Sequence, residues 1–97
     1  MARVAEIPNG AVRKSHSINL DLAQKALDEQ ELTSRDFTWL TFAFDPSEME
    51  AAKQKIREFQ DEFSEQFSTS KQSTEVYRLA IQLFSLTKKQ TKPKKEV

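Results

Sequence analysis

Few residues in this chain are of types that carry chemistry. His16 is the sole histidine, and an imidazole can act as a base, a proton shuttle or a metal ligand. It falls on the apolar face of a helical pattern, and such a histidine reads as a packed side chain rather than a base. Asp61, Glu62 and Glu65 sit together on a second helical pattern, where acidic residues on a solvated face are ordinary. The absence of cysteine removes thiolate catalysis, cysteine-ligated zinc and a disulfide framework. Gly10 is the single glycine, so no glycine-rich loop can cradle a phosphate. No histidine or cysteine pair stands at metal-ligand spacing, and no nucleophile has a neighbouring base. The expectation is a non-enzyme with no catalytic residue, no metal and no cofactor.

Charge offers a second kind of chemistry. Residues 88–97, KKQTKPKKEV, contain Lys88, Lys89, Lys92, Lys94 and Lys95 against one Glu, a local charge of +4. The remaining residues hold ten bases and fourteen acids, a charge of −4, and the two parts cancel. The tail is too poor in apolar residues to order itself, so it reads as a disordered electrostatic arm or a solubilising terminus. An acidic body behind it would repel phosphate, so nucleic acid is expected only indirectly, through a DNA-binding region outside this chain.

The elements that position these residues follow from periodicity. Residues 1–10 are a lead-in ending in a Pro8-Asn9-Gly10 turn signal that can place Asn9 at a helix N-cap. Val12, His16, Leu20, Ala23 and Leu27 then align on one face and predict a helix over 11–30. Asp28, Glu29 and Glu31 crowd its end, where the dipole disfavours them, so fraying is expected. The stretch FTWLTFAF shifts to a period of two and predicts a strand over 36–44 with apolar groups on both faces. Asp45-Pro46-Ser47-Glu48 carries a cap, a proline at the first helical position and the outline of a capping box.

A helix over 46–67 follows, with Met49, Ala52, Ile56, Phe59, Phe63 and Phe67 in a narrow aromatic stripe. Its spacing matches a coiled-coil seam, but barely three heptads are present, and packing on the protein's own sheet is the preferred reading. The final apolar run, VYRLAIQLFSLTKK, alternates and predicts a strand over 75–87. The resulting fold class is α+β in the order helix, strand, helix, strand, forming a single domain over 11–87. Two strands do not make a stable sheet. A second copy, or upstream strands of a longer chain, is therefore expected to complete it. Trp39, Arg78, Phe84 and Leu86 are the candidate interface residues.

Four stretches, RKSHSINLDLAQKAL, RDFTWLTFAFDPSE, IREFQDEF and VYRLAIQLFSLTK, together resemble the C-terminal region of an uncharacterised bacterial domain family. Members are longer chains read as transcriptional regulators, with a helix-turn-helix-like region upstream. His16, Arg35-Asp36, Glu58-Phe59 and Val76-Tyr77 match the family pattern, while Gln60, Ala80 and Ser85 depart from it without breaking the fold. The resemblance implies a non-catalytic sensory or oligomerisation domain of a transcriptional regulator, acting as a homodimer or beneath an upstream domain. The alternatives are a free-standing protein-protein interaction module that adds a strand to its partner, and nucleic-acid contact through the lysine tail. No stretch approaches the length of a membrane span and no signal-peptide core is present, so the expected setting is cytoplasmic, without membrane contact.

Overall fold

A computed structural model describes residues 3–87. Two α-helices, α1 (Gly10–Glu29) and α2 (Met49–Phe67), are accompanied by single 3-10 turns at Leu32–Ser34 and Pro46–Glu48. No strand and no sheet occur among the described residues. This corrects the α+β expectation, because the stretches 36–44 and 75–87 do not become strands. The physical reason is that alternation fixes only which face of an extended segment is apolar, whereas a strand also needs a neighbour to complete its ladder. The backbone is extended at Arg35 (φ −141°, ψ 161°) and Asp45 (φ −84°, ψ 111°), at the two ends of the first stretch. The ladder partner is what is missing. The lysine tail lies outside the described residues.

Local chemistry accounts for where the helices begin. At the start of α1, the Asn9 side-chain oxygen accepts from the backbone N–H of Ala11 at 2.8 Å and of Val12 at 3.3 Å. Two of the donors that a helix leaves unsatisfied are thereby covered. At the other end, the Gln30 N–H donates to the Ala26 carbonyl at 2.9 Å. The Arg35 guanidinium returns to donate to the Gln30 carbonyl, and it lies 5.9 Å from the centre of the Phe37 ring. Gln24 donates to both carboxylate oxygens of Asp28, at 3.2 and 3.3 Å. These contacts offset the acidic crowding from which fraying was expected, since a cation now sits at the negative end of the dipole.

Before α2, the Asp45 carboxylate accepts from the Ser47 N–H at 3.0 Å and from the Ser47 hydroxyl at 2.8 Å. The Glu48 N–H donates to the Asp45 carbonyl at 2.9 Å, which closes the 3-10 turn. Pro46 fits the first position of that turn, where no N–H is needed. Glu48 makes no side-chain cap hydrogen bond, so the capping box reduces to an Asp45–Ser47 pair. The two bonds from Ser47, backbone first and hydroxyl second, hold the Asp45 carboxyl below its ordinary pKa. A depressed pKa means that the cap contributes above the unfolded-state value and is lost as pH falls through the folded-state value. Far-UV circular dichroism is therefore expected to show a loss of helix on acidification that is reduced in Asp45→Asn, which cannot titrate there.

The chain divides into two compact units. One comprises residues 41–83 and contains α2; the other comprises residues 3–40 with 84–87 and contains α1. Each unit has a single α-helix, so neither can form a helix-on-helix core by itself. No described residue is buried.

Candidate interaction surface

The α2 surface is built on a ladder of phenylalanines one turn apart. Phe59 and Phe63 have ring centres 5.7 Å apart at 47°, and Phe63 and Phe67 follow at 4.9 Å and 52°. Tilted contacts at these separations let the positive ring edge meet the negative face of its neighbour. The spacing of four residues places the rings on one ridge of the helix. Met49, Ala52 and Ile56 extend the same stripe towards the N-terminus and are half-buried, whereas Phe59, Phe63 and Phe67 remain 49%, 39% and 60% exposed. The expectation that this stripe packs on a sheet of the same chain is corrected here, because the described residues form no sheet to receive it.

The polar sides of α2 hold local pairs. Lys53 lies 3.9 Å from Glu50, and Gln54 donates to Glu58 at 3.3 Å. Both are exposed pairs within one turn, and each contributes at most a few tenths of a kcal/mol, about the value of an i,i+4 contact. Asp61 and Glu65 line a shallow, open depression with Ser64, Ser68 and Thr69 at the C-terminal end of the helix. Of the three carboxylates named from sequence, Asp61 and Glu65 therefore share this depression and Glu62 stands outside it.

His16 is half-buried on α1, and its Nε2 is shielded from solvent without a hydrogen-bond partner. The Oε1 of Gln60 on α2 is in the same condition. Among the described residues, no group of three or more histidine, cysteine or acidic side chains could hold a metal ion.

The four interface residues picked from sequence fall in different units. Trp39, Phe84 and Leu86 belong to the unit that contains α1, and Arg78 belongs to the unit that contains α2. Trp39 is 87% exposed, with Phe84 and Leu86 also well exposed. In the α2 unit, Phe42 and Phe44 meet edge to face at 5.8 Å, as alternation along an extended stretch allows. Lys88, Lys89, Lys92, Lys94 and Lys95 lie outside the described residues. Sequence reasoning missed the role of Arg35 at the end of α1 and the exposure of the α2 ladder. The signal for the second was present in the absence of a third strand.

A family profile, described as a domain of unknown function (DUF4423), matches residues 2–86. The chain belongs to the DUF4423 family. No curated protein and no solved structure matches it. The DUF4423 match takes in both helices, both apolar extended stretches and all four interface residues, and it ends before the lysine run. The aromatic ladder is therefore part of the family domain, and the tail is not. Among the described residues of this DUF4423 chain, no helix is long and apolar enough to cross a membrane.

Proposed function

We propose that this chain is a non-catalytic oligomerisation domain of a bacterial transcriptional regulator, which brings two regulator chains together and positions their DNA-binding regions. The observation that carries the reading is apolar exposure. Twenty large apolar side chains are exposed among the described residues, and none is buried. A surface of this kind belongs against another protein surface. The regulator context rests on the resemblance of the four quoted stretches to the C-terminal region of helix-turn-helix regulators.

The experiment is a fusion of residues 1–97 to a DNA-binding domain that represses a reporter only as a dimer. Repression comparable with that given by an authentic dimerisation domain is the expected result. A fusion that accumulates in the cell without repressing would overturn the reading.

A further inference from the structure

We infer that the α2 stripe is a homodimer seam on which a second copy of α2 lies antiparallel, with the two-fold axis passing between Arg57 and Glu58. This deepens the oligomerisation reading and rests on it. The occupant is identified by three features of α2 itself.

The first is the charge distribution. Met49–Arg57 carries Lys53, Lys55 and Arg57 against Glu50, a charge of +2, and Glu58–Phe67 carries Glu58, Asp61, Glu62 and Glu65, a charge of −4. Within one helix this polarity is unfavourable, because the acidic half lies at the negative end of the dipole. Against an antiparallel copy it becomes complementary at both ends. A parallel copy would set the acidic half against its equal.

The second feature is side-chain volume. All the large rings lie in the C-terminal half of the stripe, and the smaller Ala52 and Ile56 lie in the N-terminal half. An antiparallel copy centred between Arg57 and Glu58 sets Phe59 beside the partner's Ile56 and Phe63 beside the partner's Ala52, while Gln66 faces the partner's Met49 and Phe67 flanks that layer. The four central layers then each join a ring to a smaller side chain, as close packing requires. The parallel arrangement would stack ring on ring at one end and leave a gap at Ala52.

The third feature is the flank of the seam. Lys55 and Glu62 stand on the same side of the stripe, seven residues apart, and both are exposed. In the antiparallel register, Lys55 of one copy faces the partner's Glu62, and symmetry repeats the pair. In a parallel pair these two residues would face the partner's Gln60 and the partner's Phe67, and neither would meet an opposite charge.

Charge exchange tests the orientation. Equilibrium sedimentation of the full chain at low salt is expected to show Lys55→Glu and Glu62→Lys each dimerising about five- to tenfold more weakly, because each variant creates two like-charge pairs across the axis. Mixing the two variants is expected to restore affinity through a heterodimer in which both pairs are again opposite, and the double variant is expected to restore it in the homodimer. Circular dichroism establishes that the helices persist in each variant. A dimer indifferent to the single changes, or not restored by mixing, would overturn the antiparallel seam while leaving the oligomerisation reading intact. An unaltered chain that stays monomeric at the highest concentration would overturn both.

Discussion

The thermal midpoint of the isolated chain is expected to rise with protein concentration, by about 3 °C for each tenfold increase. The estimate follows from mass action: tenfold in concentration is worth about 1.4 kcal/mol to a dimer that dissociates on unfolding. The unfolding entropy of two chains of this length is on the order of 0.4 kcal/mol per degree. The structural basis is the complete lack of buried side chains within the described part of a single copy. Conformational entropy opposes folding by about 1–2 kcal/mol per residue, and only extensive burial offsets it. Half-exposed rings on a lone helix contribute a fraction of the roughly 1.5–3 kcal/mol that full burial of each would give. On the proposed dimer reading, most of the stabilising area comes from a second chain and folding and association are one process. Calorimetry over a hundredfold range of concentration checks this, and a midpoint that does not move would mean that each copy completes its own core.

What the sequence revealed, and what it left hidden, divides along the range of the interactions. The starts of both helices were legible because a cap is a contact over two or three residues: Asn9 to Ala11 and Val12, and Asp45 to Ser47. The α2 stripe was legible for the same reason, since helical periodicity is written into neighbouring turns. The stretches 36–44 and 75–87 were not, because a strand is a relation between segments distant in sequence. Trp39 and Leu40 show this well. Their alternation with Phe37 and Phe42 reads as a two-faced strand, yet Trp39 is 87% and Leu40 77% exposed. Arg35 was hidden for a different reason. Its guanidinium reaches back five residues to the Gln30 carbonyl, past a 3-10 turn whose geometry no pattern in the residues specified. The candidate surface was half legible: the stripe is written in helical periodicity, but what covers it is not, because periodicity alone does not distinguish a sheet of the same chain from a second copy.

The largest single-residue effect is expected at Phe63. This ring is the middle rung of the ladder, with neighbours on both sides at 5.7 and 4.9 Å, and the proposed seam sets it opposite the partner's Ala52. Phe63→Asp removes both ring contacts and sets a carboxylate in a layer that a second copy would otherwise seal from water. An unpaired charge in such a layer has no favourable state: it must stay hydrated, which holds the helices apart, or take a proton at a free-energy cost. Dimer affinity is therefore expected to fall by a factor on the order of a hundred or more, about 2.7 kcal/mol or greater. Aspartate is also a weaker helix former than phenylalanine, though by only a few tenths of a kcal/mol in an exposed turn. That cost must be separated from the loss of the seam. Gln54→Asp supplies the comparison, because position 54 lies on the polar side of α2, next to Glu58, and takes on the same residue without touching the stripe. Sedimentation of the two variants at equal concentration should leave Gln54→Asp close to the unaltered chain and Phe63→Asp monomeric. Equal behaviour would place the interface away from the phenylalanine ladder, and the exposed Trp39, Phe84 and Leu86 of the other unit would then be the surface to which attention turns.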